Sequence, residues 1–227
     1  LENCAILTIC NDQGRSVIDL SNLRVFPLAL EAVAEDAEVS AVVIRGAGGN
    51  FCLGGDLGFL LESSEQGEEY CRNILSLGHA WTRAIISSRC LVVSLVDGLA
   101  MGAGVDVAAA SDLIAVTATA KFRAFYNRLG LVPDLGGGSL VKDRMGYSGA
   151  LRFFSDRRSM SAEGSIRVGL SDVLLDGEPN STDFDRKMLT VTRGLDVSDP
   201  GFVAVKTLLN IERYKTLMAE QDASLNI

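Results

Sequence analysis

Short apolar runs and longer amphipathic ones alternate along the chain. Residues 5–10, 40–45, 90–96 and 113–116 are brief, rich in Val, Ile and Leu, and apolar at consecutive positions, the pattern of strands buried on both faces. Between the first two, residues 20–37 place Leu23, Phe26, Leu30 and Val33 at helical spacing, and Asp19 or Ser21 is the right residue type to cap that helix. Residues 65–87 again have helical periodicity, the strand at 90–96 follows, and after a glycine-rich turn comes an Ala-rich helical run at 105–110. Repeated strand, helix, strand units predict an α/β fold with a largely parallel sheet. Further on, residues 148–173 read as helices broken by turns, 176–183 as a polar loop, and 182–223 as helix interrupted at Asp199-Pro200-Gly201. There is no internal repeat and no convincing linker.

Length and composition narrow the picture. The 227 residues, 48% of them hydrophobic, suffice for one sizeable core. No apolar run reaches the roughly 18 to 20 residues that cross a bilayer, and the first ten residues lack the basic region and cleavage site of a signal peptide. A soluble, cytoplasmic protein with no membrane partner is expected. A net charge of −8 disfavours nucleic acid, which rewards clustered Lys and Arg. Five scattered cysteines, Cys4, Cys10, Cys52, Cys71 and Cys90, form no C-x-x-C pair, and His79 is the single histidine. They are expected to be reduced, mostly buried thiols, with no metal site.

Three glycine-containing turns follow expected strands, over residues 46–57, 97–106 and 130–138. Glycine there lets backbone approach a ligand closely. None of the three is a dinucleotide fingerprint or a phosphate-binding P-loop, and no G-x-S-x-G nucleophile elbow is present. On its own, Asp106 suits a helix N-terminus and Asp134 a turn after proline.

These motifs resemble the crotonase (enoyl-CoA hydratase/isomerase) family. Residues 41–57, A-V-V-I-R-G-A-G-G-N-F-C-L-G-G-D-L, look like its first signature, and Val96-Asp97-Gly98-Leu99-Ala100-Met101-Gly102-Ala103-Gly104 with Ser111-Asp112 like its second. Lys121-Phe122, Gly130-Leu131-Val132-Pro133-Asp134 and Gly136-Gly137 match a third, and Ser161-Ala162-Glu163 with Val168-Gly169-Leu170 a fourth. The resemblance runs from about residue 5 to 210.

It implies a ClpP/crotonase-like ββα spiral core over residues 1–175, continuous with a C-terminal helical and oligomerisation region over 176–227. It implies an acyl thioester, on coenzyme A or an acyl carrier protein, as substrate, no separate cofactor, and assembly as a homotrimer or hexamer. Backbone N–H groups of Gly55 and Ala103 would form an oxyanion hole for the thioester enolate. Leu53, Asp56, Phe59, Gly102, Tyr126 and Leu131 would bind substrate, and Leu60, Leu61, Trp81, Phe122 and Phe125 would wall an acyl pocket. Family hydratases use two glutamates; this chain has Asp106 and Tyr126 at those positions. Asp134 together with Asp106 resembles the acid pair of dienoyl-CoA isomerases, so double-bond isomerisation is the first expectation. A hydratase, dehydratase or decarboxylase of carrier-bound intermediates, and a non-catalytic accessory homologue, are the alternatives. A lysine that many members carry after the first motif is absent, as is the C-terminal histidine of the decarboxylating branch. His79 sits beside Leu77 and Trp81 and reads as a packing residue, and Arg83, Arg89, Lys121 and Arg123 as solvated cations.

Overall fold

The computed structural model describes residues 3–176, 191, 195, 197 and 199–225. Consecutive apolar residues form a five-stranded parallel sheet in the order β1 (Cys4–Ile9), β2 (Ala41–Gly46), β3 (Leu91–Val96), β5 (Leu113–Thr117), β8 (Val173–Leu175). Its register pairs Val42 with Val92 and Val93 with Leu113. Alternate side chains serve two cores, as a parallel sheet covered on both faces requires. Val42, Ile44, Val92 and Val96 face the larger core with Leu30, Phe51, Trp81, Ile85 and Phe122. Ala41, Val43, Leu91, Val93 and Ala115 face a smaller one closed by Val191, Val197 and Phe202. A second sheet of three short strands joins β4 (Leu99–Met101) parallel to β6 (Lys121–Arg123), with β7 (Met160–Ser161) antiparallel to β6.

The helix expected over residues 20–37 is split at Arg24 into α1 (Leu20–Leu23) and α2 (Val25–Glu35). Asp19 caps α1 in a capping box with Asn22. Helix α3 (Leu57–Glu65) is distinct from α4 (Glu68–Ser87), because Gly67 at φ 92° breaks the run between them. Trp81 of α4 stacks on Phe26 at 4.0 Å and donates to Leu23 O at 3.0 Å, which places it in the core and away from any acyl pocket. Phe122 is also core, and Leu61 faces outward.

Helix α5 (Ala103–Ala110) is buried over most of its length. Helix α6 (Gly137–Ser155) starts well before the expected residue 148 and kinks at Gly146 (φ 71°, ψ 166°). It is followed by α7 (Ala162–Arg167). Val173, expected as the last residue of a helical stretch, instead opens the edge strand β8, paired with β5.

Helix α8 (Pro200–Ser224) begins where an interruption was expected, since Asp199 is its N-cap and Pro200 its first residue. The expected loop over 176–183 and the helix over 182–198 lie almost wholly outside the described residues. The C-terminal helix was expected to contact a neighbouring subunit. It packs against α4 and α6 of its own chain. Lys206 buries its ammonium there, donating to Asp112 Oδ2 at 2.6 Å and Cys90 O at 2.5 Å, while Val205, Leu208 and Leu209 stay exposed. The thiols are free, but only Cys52 and Cys90 are buried; Cys4 and Cys71 are half-buried and Cys10 is exposed. Among the described residues no helix is long and apolar enough to cross a membrane.

Candidate active site

Two backbone turns meet at one end of the parallel sheet. In the first, Ile18 N donates to Gly54 O and Asp56 N to Ile18 O, both at 2.8 Å, so the chain on either side of Gly55 is pinned while the Gly55 N–H itself has no acceptor among the described residues. A side chain at Gly54 (φ 81°) would strike Met101 O at 2.9 Å and pass 3.5 Å from Ala103 N. That proximity is what brings the second turn alongside.

In the second turn Gly102 N donates to Arg123 O at 3.0 Å, and Gly102 (φ 53°, ψ −128°) takes a conformation open to glycine. Ala103 is then the first residue of α5, where an N–H has no intrahelical partner. It is aimed out of the positive end of that helix. A side chain at Gly104 would hit Cys52 O at 2.2 Å, so α5 seats directly on the segment that leads into the first turn.

Both turns border a cavity of about 380 Å³. Leu53, Gly55, Phe59, Gly102, Ala103, Tyr126, Leu131 and Asp134 line it, as do Leu60 and Phe125. Sequence reasoning missed the wall supplied by α4, where Ile74, Leu75 and Gly78 face the cavity. Their helical spacing was visible, but the same helix also presents Trp81 and Ile85 to the core, and periodicity does not separate two apolar neighbours.

Asp56 is absent from this lining. Its carboxylate caps α3, accepting from Phe59 N at 3.1 Å, and pairs with Arg15 at 2.9 Å. Asp106 is also absent. It is fully buried behind the wall, where Oδ1 receives the Tyr126 hydroxyl at 2.5 Å and Oδ2 receives Leu135 N at 3.3 Å. Gly137 makes room for it, since a Cβ there would lie 2.0 Å from Asp106 Oδ1. The four cations read as solvated are not among the cavity's lining residues: Arg83 donates to Gln221, Arg89 to Asp36 O, and Arg123 to Arg157 O.

The acids respond to this burial. Desolvation lifts the Asp134 carboxyl to about 6. It raises Asp106 well above the usual carboxylate range, with Asp134 and Glu220 adding repulsion against the Tyr126 hydrogen bond. Tyr126 is pushed well up by burial and then by the charge of Asp106 and the hydrogen bond to it. Asp134 is therefore a carboxyl that exchanges its proton near neutrality, facing an apolar cavity that also holds two free N–H donors. Among the described residues no three His, Cys, Asp or Glu side chains gather as a metal site.

Comparisons with known proteins fit this geometry. The rat mitochondrial 3-hydroxyisobutyryl-CoA hydrolase is 27% identical over 77% of the chain and 46% of its own length. The zebrafish ethylmalonyl-CoA decarboxylase is 29% identical over 75% and 56%. The peroxisomal Delta(3,5)-Delta(2,4)-dienoyl-CoA isomerase of Arabidopsis thaliana is 28% identical over 77% and 65%. The chain thus spans about half to two thirds of the length of these relatives. A crystal structure of an enoyl-CoA hydratase from Bacillus halodurans superimposes with a TM-score of 0.88 at 20% identity, covering 100% of the chain and 90% of its own. One of an enoyl-CoA hydratase/isomerase from Mycobacterium paratuberculosis gives 0.85 at 22%, covering 99% and 88%. These establish the crotonase fold. The enoyl-CoA hydratase/isomerase family model matches residues 18–208, and the chain belongs to that family.

Proposed function

We propose that this chain moves a double bond within an unsaturated acyl thioester, on coenzyme A or a carrier protein, through an enolate held by Gly55 and Ala103. The observation that carries this reading is the meeting of two unpaired N–H groups with the Asp134 carboxyl on one apolar cavity. Removing an α-proton from a thioester drives charge onto the carbonyl oxygen, and preorganised donors in a water-poor site stabilise that charge without reorganising. Asp134, with its carboxyl near 6, takes the proton as a carboxylate.

The cavity wall is aliphatic and aromatic, which suits a hydrocarbon acyl chain. Hydration is less well served. It needs two groups to hold a water over the substrate, and the matching positions carry Asp106, which has no surface on the cavity, and Tyr126, which is bonded to it.

The exposed Val205, Leu208 and Leu209 on α8 suit burial in a homo-oligomer such as the expected trimer, and mass in solution tests that. For the reaction, trans-3-hexenoyl-CoA is the probe. Isomerisation leaves product mass unchanged, hydration adds a water, decarboxylation removes carbon dioxide and hydrolysis frees the thiol. A conjugated product of unchanged mass, lost in Asp134→Asn, is the expected result. Full activity in Asp134→Asn would remove the assigned role.

A further inference from the structure

Moving a double bond needs a proton taken at one carbon and a proton given at another. Asp134 supplies the first step, and a second acid is needed for the other. Tyr126 lines the cavity, and directly behind it lies Asp106, fully buried and 2.5 Å from the phenol oxygen.

We infer that Tyr126 and Asp106 form a proton relay, in which Tyr126 delivers a proton to the γ-carbon of the dienolate and Asp106 replaces it from behind. This rests on the isomerase reading above. Proton counting supports the arrangement. No cation pairs with Asp106 among the described residues, and a lone buried carboxylate is costly, so burial favours the protonated carboxyl. The pair then shares two protons, and the short contact holds only one. The far carboxyl oxygen, Oδ2, already faces the Leu135 N–H. At rest the Tyr126 hydroxyl donates into that contact; for delivery the carboxyl proton takes its place between the two oxygens and the phenol hydrogen turns toward the cavity.

The step balances. Asp134 as carboxylate removes the α-proton, and the C–H pair becomes the dienolate held by Gly55 and Ala103. The dienolate's γ-carbon then forms its new C–H bond with the Tyr126 hydrogen. The O–H pair stays on the phenol oxygen, which takes the Asp106 proton. One negative charge has moved from Asp134 to Asp106, and the two aspartates never carry it together. After product leaves, water entering the cavity returns a proton to Asp106 through Tyr126 and accepts one from Asp134. The mutual repulsion of the two carboxyls favours this single-charge cycle.

The test is trans-3-hexenoyl-CoA in deuterated water, reading α-deuterium in recovered substrate separately from conjugated product. Wild-type protein is expected to do both. Tyr126→Phe is expected to keep α-exchange within a few fold and to lose isomerisation by at least about a hundredfold, since enolisation survives and delivery does not. Asp106→Asn is expected to show the same split, with at least about a tenfold loss, and decides the matter should Tyr126→Phe fail to fold. Isomerisation near the wild-type rate in either folded variant overturns the relay, as does loss of exchange and isomerisation together. If wild-type protein shows neither, the isomerase reading itself falls.

Discussion

The imidazole Nε2 of His79 lies 2.9 Å from the main-chain oxygen of Asp134, tying helix α4 to the turn that carries the cavity's acid. Nε2 therefore bears the proton, and Nδ1, buried with no partner, is left bare. His79 has no surface on the cavity; it holds the turn in place.

Burial depresses the His79 imidazole to about 4. Below its ordinary value of about 6.5 the unfolded chain binds a proton that the folded chain refuses, so stability falls with pH from about 6.5 to about 4. The loss from this group is on the order of 3 kcal/mol, since each unit is worth about 1.4 kcal/mol. In His79→Gln, whose amide can still donate to Asp134 O, that acid sensitivity should disappear. Urea unfolding of both proteins at neutral and at mildly acid pH measures it, and an unchanged difference between the two pH values would contradict the assignment.

Asp134 pushes the other way. Its carboxyl is raised from 3.8 to about 6, so between those values the native state holds the extra proton and stability falls as pH rises. Above about 6 the burial penalty is fully in force. Asp134→Asn should therefore be the more stable protein at neutral pH, by about 3 kcal/mol, and lose that advantage near pH 4. The same variant should lose isomerase activity by roughly a hundredfold or more, and the wild-type rate should climb with pH through about 6 as the carboxylate forms. Thermal melting across pH, set beside the pH–rate profile, checks both.

Ala103→Pro tests the oxyanion hole without touching an acid. Proline is tolerated at the first position of a helix, and it removes the one N–H in question. The fold and the circular dichroism spectrum should survive while kcat drops by at least about a hundredfold. Retained activity would move the oxyanion to other donors.

Much of this site was legible because its chemistry belongs to the backbone. The glycines at 54, 55 and 104 must be small where two turns and a helix end converge, Gly102 needs glycine for its positive φ, and both needs show as spacing in the sequence. Strands β2, β3 and β5 were equally legible, as consecutive apolar runs are the mark of a sheet covered on both faces; β1 was found as well, but it is an edge strand with Ile6 and Thr8 exposed rather than one buried on both faces. What stayed hidden depended on who stands behind whom. Asp106 and Asp134 look like an equal pair in sequence, yet only Asp134 reaches the cavity, because Tyr126 and Leu135 close over Asp106. Asp56 looks like part of a binding motif and is a helix cap. The start of α6 at Gly137 was missed because three successive glycines read as a turn, whereas Glu220, from a distant helix, accepts from Gly138 N and Ser139 N at 2.8 and 2.6 Å and caps it.

Gln221 is the least expected member of that support. Polar residues late in a long helix ordinarily face water, but Gln221 is fully buried. It accepts from Arg83 Nε at 2.7 Å and donates to Thr82 Oγ1 at 2.9 Å and to Leu135 O at 3.2 Å, so it joins α4, α8 and the turn next to Asp134. Beside it, Leu217 occupies the space a side chain at Gly136 would need, with Cδ1 2.0 Å from the position of that Cβ. Gln221→Met keeps the volume and removes all three hydrogen bonds, leaving a partly buried guanidinium without its acceptor. The expected cost is about 3 kcal/mol in urea unfolding. Since the Leu135 carbonyl loses a tether one residue from Asp134, kcat should fall several fold with KM nearly unchanged. Gln221→Glu, which still accepts from Arg83, should recover part of the stability. If KM rose and kcat held, Gln221 would instead be shaping the acyl pocket through Leu135, and its link to the acid would be wrong.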